Sequence, residues 1–280
     1  MAPVDVLIPT RNRKTGLAVT LAGLFGQTFR DFNLFISDQT EDQDYLRDSE
    51  LLTLLRAFKL RGITVKTFKH LPRRGMAEHR HFLLSQATAP YVHFLDDDVL
   101  LEPEVLERML RVIRREGCGF VGCAAIGLSH LYQVRPHQHD IEIWEGPVEP
   151  EPFTWETIPW DRHKVNNAAN ALHLEGKLIR DGVLNPSRGA FPVRYKVAWV
   201  GGANVLYDRQ KLLEVGGFSW WGQLPEEHAG EEVLAQFLLI RKFGGCGILP
   251  SGTYHLQLPT EVENREVNAT SLFPKLVPDV

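Results

Sequence analysis

The chain has 280 residues, 44% of them hydrophobic and 24% charged, with 31 Lys and Arg against 35 Asp and Glu for a formal net charge of -4. These proportions are those of an ordinary folded protein and exclude disorder, collagen-like repeats and a disulfide-stapled miniature. No basic stripe offers to neutralise a phosphate backbone, so nucleic acid is not an expected partner.

The first 125 residues alternate strand and helix signals. Residues 4–8 form a β-rich run ended by Pro9, and residues 14–27 place Leu17, Leu21, Leu24 and Phe25 at helical spacing. The pattern then predicts a strand over 32–37, a helix over 45–60, a strand over 64–68, a helix over 76–87, a buried strand over 91–95, a helix over 103–116 and a strand over 119–125. This alternation predicts an α/β fold with a mostly parallel sheet flanked by helices. Residues 126–198 break the rhythm and read as a long functional insertion or a small subdomain. The rhythm resumes with a strand over 199–207 and a helix over 209–215. A further helix over 231–243 is stopped by Gly244-Gly245, and a short strand is expected over 253–256 before a polar tail. No Gly/Ser linker or charge block divides the chain, so a single domain is expected over 1–280, in three parts: 1–125, 126–258 and the tail 259–280.

Cys118, Cys123 and Cys246 are odd in number, and the first two are five apart in a strand-like stretch that would turn them to opposite faces; three reduced core thiols are expected. The first residues show no secretory pattern, and no apolar run approaches the ~18 residues of a spanning helix. The expectation is a cytoplasmic protein with no transmembrane segment, peripheral membrane association remaining open.

In α/β sheets ligands collect beyond the carboxyl ends of the strands. There the sequence places Pro9-Thr10-Arg11-Asn12, Ser37-Asp38-Gln39-Thr40 and Asp96-Asp97-Asp98. Three carboxylates held together at a strand end raise one another's pKa unless a cation neutralises them, and oxygen-only ligands suit Mg²⁺ or Mn²⁺. The plainer alternative has one Asp capping the next helix and the others in solvent. Glu231 and Glu232 open the last strong helix, where acidic residues are common for electrostatic reasons alone; the functional reading makes one of them a general base. Arg73-Arg74-Gly75 precedes a helix whose N–H groups could meet a diphosphate, or it is a solvated basic pair. His255 is a lone histidine that needs carboxylate partners to act as a ligand, and His137 and His139 lack an evident third ligand. No P-loop, Gly-x-Gly-x-x-Gly or Gly-x-Ser-x-Gly motif is present.

Taken in order, Val6-Leu7-Ile8-Pro9-Thr10-Arg11-Asn12, Ser37-Asp38-Gln39-Thr40-Glu41-Asp42, Arg74-Gly75-Met76-Ala77, Phe94-Leu95-Asp96-Asp97-Asp98, Gly201-Gly202-Ala203-Asn204, Gly216-Gly217-Phe218 and Gly230-Glu231-Glu232 resemble the GT-A fold (Rossmann-like) glycosyltransferases of family 2. The likeness runs over about residues 4–255 apart from the insertion. It implies a hexosyltransferase-class enzyme of polysaccharide or glycoconjugate biosynthesis. Such an enzyme moves a sugar with inversion from a nucleoside diphosphate sugar, a UDP-sugar being favoured, to a carbohydrate, lipid-linked or small-molecule hydroxyl acceptor, with Mn²⁺ or Mg²⁺ as cofactor. By this resemblance 1–125 is the nucleotide-sugar half and 126–258 the acceptor-binding and catalytic half. Pro9, Thr10 and Asp38 would hold base and ribose, Arg73 or Arg74 would lie near the base or diphosphate, and Arg11 and Gly75 would belong to the same nucleotide-sugar-binding set. The acidic triplet matches the Asp-x-Asp motif: Asp97 near the donor sugar, Asp96 near the ribose and, with Asp98 and His255, at the metal. Glu232 stands where the family usually has the aspartate base, so Glu232 or Glu231 takes that role. His81 replaces a usual asparagine and Asp38-Gln39-Thr40 a usual Asp-Gly-Ser, leaving the base open between uracil, guanine and thymine. Trp144, Trp155 and Trp160 fit sugar-stacking faces or plain core equally. Two other readings remain: a sugar nucleotidyltransferase, unsupported by a phosphate loop after the first strand, and a non-catalytic nucleotide or carbohydrate module, kept open by the altered acidic pair.

Overall fold

A computed structural model describes residues 2–166, 170–260, 262 and 265–277. The first half follows the expected alternation: β1 (Val4–Thr10), α1 (Lys14–Phe25), β2 (Phe32–Asp38), α2 (Ser49–Leu60), β3 (Val65–Lys69), α3 (Met76–Gln86), β4 (Tyr91–Leu95), β5 (Val99–Leu101), α4 (Val105–Glu116), β6 (Phe120–Gly122) and β7 (Ile126–Gly127). The second half contributes α5 (Asn170–Arg180), β8 (Val193–Tyr195), β9 (Asn204–Asp208), α6 (Arg209–Glu214), α7 (Glu231–Phe243), β10 (Gly245–Leu249), β11 (Thr253–His255) and α8 (Phe273–Leu276).

Eight strands form one sheet in the order β3-β2-β1-β4-β9-β6-β10-β8, with β9 and β8 running against the other six. Alternation along each central strand builds two cores. Leu7, Phe35, Val92 and Phe94 face one side with α3 and α7, while Val6, Ile8, Leu34, Ile36 and Leu95 face the other with α1, α2 and α4. The parallel pairing of β1 with β2 sets Thr10 beside Asp38, and Leu95 of β4 pairs with Asn204 of β9. The carboxyl ends of β1, β2 and β4 therefore open on one edge. A small sheet, β5-β11-β7, lies across that edge and carries His255 on its central strand.

Several expectations change. The strand expected over 199–207 begins only at Asn204, because Gly201-Gly202 forms a loop before it. The insertion is partly regular: Ala171, Leu174 and Leu178 form the buried stripe of α5. The tail is not merely polar, since Ala269, Leu272 and Phe273 are buried and Phe273 packs on Phe153 and Phe237. The three cysteines are free and buried as expected. Cys118 and Cys123 nevertheless pack into one core, because β6 spans only the three residues 120–122 and each thiol lies beyond an end of it. None of Trp144, Trp155 and Trp160 lines the main cavity; Trp155 meets Phe273 at a tilt, and Trp160 meets Trp155, Trp199 and Phe237 edge-on.

Candidate active site

A cavity of about 490 Å³ opens at the carboxyl edge of the sheet. Pro9, Thr10, Arg11, Arg73, Gly75, Asp96, Asp97, Asp98, Glu231, Glu232 and His255 all line it, although they are drawn from positions as far apart as 9 and 255. Asp38 and Arg74 do not. Asp38 is buried at the end of β2, accepting hydrogen bonds from the Thr40 amide (2.8 Å) and Lys69 Nζ (3.1 Å). Arg74 points to the Trp221 ring.

The acidic triplet leaves the core where β4 ends, and each carboxylate has a different partner. Asp96 meets Arg80 Nη2 at 3.2 Å. Asp97 accepts from Thr10 Oγ1 at 2.6 Å and from Arg13 Nη1 at 3.3 Å. Asp98 accepts from the same Arg13 nitrogen at 2.7 Å, and its Oδ2 lies 3.6 Å from His255 Nε2. Burial pushes the Asp97 carboxyl up to about 7, with the Thr10 hydrogen bond and Arg13 opposing the rise. Asp98 is also raised by burial, against the opposing charge of His255. The capping alternative fails, because Glu104 occupies the N-terminal flank of α4 and two of the three aspartates are buried.

The second acidic group opens α7. Gly230 precedes the helix with φ +78, and a Cβ there would lie 2.3 Å from Asn268 Oδ1, so glycine is required where the tail crosses the helix start. Glu231 is buried and meets Arg80 Nε at 3.2 Å. Glu232 forms no ion pair among the described residues and packs on Gly202, whose Cβ position lies 2.9 Å from the Glu232 Cγ. Burial pushes the Glu232 carboxyl up to about 8; the charge of Glu231 adds to the rise and Arg80 opposes it. Arg80, 4% exposed on α3, thus joins the two acidic groups.

The N-terminus of α3 is partly committed. His228 Nδ1 donates to the Pro225 carbonyl (2.8 Å), which leaves Nε2 to accept from the Ala77 amide (3.1 Å). Gly75 has φ +95, and a Cβ there would lie 2.5 Å from the Glu226 carbonyl oxygen and 2.6 Å from His228 Cε1. Arg73 reaches Glu226 at 2.7 Å. Any diphosphate at this helix end would meet Arg73 and the remaining amides, not that of Ala77.

Sequence reasoning missed Arg13, Arg80, His228 and Asn268. All four act on partners 16 to 151 positions away or on the tail, so spacing carries no sign of them. No three His, Cys, Asp or Glu side chains among the described residues form a complete metal cage, at His137 and His139 or elsewhere. The donors that fit a divalent ion are Asp98, whose buried Oδ1 has no hydrogen-bond partner, and His255 beside it. Asp96 is drawn toward Arg80 instead. Two protein ligands suit an ion whose shell is completed by phosphate oxygens and water.

Residues 5–173 match the family model described as glycosyl transferase family 2. No curated protein sequence matches the chain. Among solved structures, a mannosyltransferase from Pyrobaculum calidifontis in complex with GDP-Man and Mn²⁺ is similar, with a TM-score of 0.52 and 15% identity over 88% of this chain and 56% of that one. S. aureus TarS 1-349 has a TM-score of 0.55 at 13% identity, covering 90% of this chain and 60% of TarS 1-349. The same protein in complex with UDP-GlcNAc has a TM-score of 0.54 at 15% identity, covering 92% and 60%. These likenesses show the GT-A fold, and the chain spans just over half the length of the structures named. No helix among the described residues is long and apolar enough to cross a membrane.

Proposed function

The chain belongs to glycosyl transferase family 2, and on that premise we propose that it is a metal-dependent inverting glycosyltransferase, taking its sugar from a nucleoside diphosphate sugar, with UDP-sugars favoured, and delivering it to an acceptor hydroxyl. One observation carries the reading: the Asp96–Asp98 triplet and the Glu231–Glu232 pair, some 135 residues apart in sequence, line one cavity of about 490 Å³ and share Arg80. A surface cap or a solvated acidic turn would have no reason to converge so.

The neighbours named bind GDP-Man with Mn²⁺ and UDP-GlcNAc, which supports a diphosphate-sugar donor and a divalent ion here. When bound at Asp98 and His255, Mn²⁺ or Mg²⁺ supplies positive charge to the departing diphosphate. Pro9, Thr10 and Arg11 at the end of β1 form the wall for base and ribose, and Asp38 braces that wall from beneath through Thr40 and Lys69. Asp97, locked by Thr10, faces the donor sugar. Inversion requires a base opposite the leaving group to take the acceptor proton. Glu232 is suited to it, since Glu231 is engaged by Arg80 while Glu232 forms no ion pair among the described residues and its raised pKa makes its carboxylate a strong proton acceptor. Glu231 then acts as a positioning residue that holds Arg80.

The test is turnover of UDP-, GDP- and dTDP-sugars with a panel of hydroxyl acceptors. Transfer by the natural chain, lost by about 10²-fold or more in Glu232→Gln and retained in part by Glu231→Gln, supports this assignment. The reverse order would move the base to Glu231, and folded protein that binds donor without any transfer would leave a non-catalytic module.

A further inference from the structure

Arg13 stands at the entrance to α1, and the fold gives its side chain little choice of position. The first turn of α1 packs directly on the Asp96–Asp98 loop: a Cβ on Gly16 would lie 2.7 Å from the Asp97 carbonyl oxygen and 3.6 Å from the Asp98 Cβ. The Arg13 guanidinium therefore projects along that loop. Its Nη1 bridges Asp97 Oδ1 at 3.3 Å and Asp98 Oδ2 at 2.7 Å, while Nη2 donates to the Pro259 carbonyl beyond β11. Both aspartates are nearly inaccessible, with side-chain exposures of 6% and 3%, and Arg13 itself is 15% exposed. A fixed positive charge thus lies against the same carboxylate oxygen that faces His255.

We propose that Arg13 makes metal binding conditional on the nucleoside diphosphate. The proposal rests on the donor and metal reading above and goes beyond it. With Arg13 on Asp98, a divalent ion entering alone meets a guanidinium at close range and a carboxylate whose charge is already shared. The diphosphate brings the compensating negative charge, and the arginine fork can transfer to phosphate oxygens because carboxylate and phosphate match its geometry equally well. Leaving Asp98 also gives up the hydrogen bond to the Pro259 carbonyl. The nucleotide and the ion must then strengthen each other's binding by the same factor.

The experiment measures Mn²⁺ binding by the loss of its free-ion EPR signal, in the natural chain, Arg13→Met and Arg13→Lys, each alone and with UDP, GDP or dTDP. In the natural chain Mn²⁺ alone should bind weakly, and the accepted nucleotide should tighten it about tenfold or more. Arg13→Met should bind Mn²⁺ alone about tenfold more tightly, with most of the nucleotide's effect gone. Arg13→Lys, which keeps the positive charge but lacks the second nitrogen that reaches Pro259, should fall between and serves if the Met variant does not fold. Equal Mn²⁺ affinity in natural and variant chains, or weaker binding in both variants, would overturn the proposal. If no nucleotide binds at all the donor reading fails, while the comparison with Mn²⁺ alone still decides whether Arg13 masks the aspartate.

Discussion

Replacing Arg80 with Met should markedly destabilise the protein. Arg80 is 4% exposed and meets Asp96 and Glu231 at 3.2 Å each. At an effective dielectric of ~20, a pair at that distance is worth roughly 5 kcal/mol gross, most of it offset by desolvation of the ions. Removing one member leaves the others uncompensated, which costs about 3–5 kcal/mol for fully buried pairs. Asp96 is 30% exposed and partly screened by water, so the lower figure, about 3 kcal/mol, applies. With an unfolding entropy of ~2.1 cal/mol/K per residue, this chain's melting midpoint should fall by about 5 °C near pH 8. The assay is thermal unfolding of natural protein, Arg80→Met and Arg80→Lys near pH 8, the lysine recovering charge without the fork. A deficit below about 1 kcal/mol in Arg80→Met, or one as large in Arg80→Lys, would refute the view that Arg80 holds the acidic groups together.

Glu232→Gln should abolish transfer yet stabilise the fold at alkaline pH. The folded pKa of Glu232, about 8, lies above its unfolded value, so stability is lost as pH rises through that interval, and the glutamine removes the loss. The gain should be on the order of 3 kcal/mol near pH 8 and vanish near pH 4, read by urea midpoints; a variant less stable near pH 8 would contradict it. The kcat/KM of the natural chain should rise with pH towards a plateau above about 8, and a flat profile between pH 6 and 9 would remove Glu232 as base. Gly75→Ala should cost about 2–4 kcal/mol through its positive φ and the 2.5 Å approach to the Glu226 carbonyl, and an unchanged urea midpoint would contradict that packing.

The strand and helix rhythm of the first half was legible because the central strands β1, β2 and β4 alternate between two cores and helices such as α2 and α4 carry a clear apolar stripe. The acidic triplet was legible because an apolar strand precedes it. Elements of the second half were hidden for reasons particular to their residues. The strand Gly245–Leu249 went unread behind the helix stop at Gly244-Gly245, yet its glycines make room for rings: a Cβ on Gly245 would lie 2.2 Å from Phe120, and one on Gly247 2.1 Å from Tyr195. The stripe of α5 was present in Ala171, Leu174 and Leu178 but was masked by the irregular residues around it. Arg13 and Arg80 were out of reach, since an arginine's role here depends on which distant carboxylate the fold brings to it. The Glu231–Glu232 pair was ambiguous by sequence because helix starts favour acids anyway; the cavity that the pair shares with the triplet is a product of tertiary structure.

The central claim is that the cavity takes a nucleoside diphosphate together with a divalent ion at Asp98. Its most direct test is calorimetric titration with UDP, GDP and dTDP, with Mn²⁺ and then with EDTA, on the natural chain and on Asp98→Ala. The account predicts micromolar binding of one nucleotide that collapses both in EDTA and in the alanine variant. Absence of binding for all three nucleotides, or binding indifferent to EDTA and to Asp98, would contradict it.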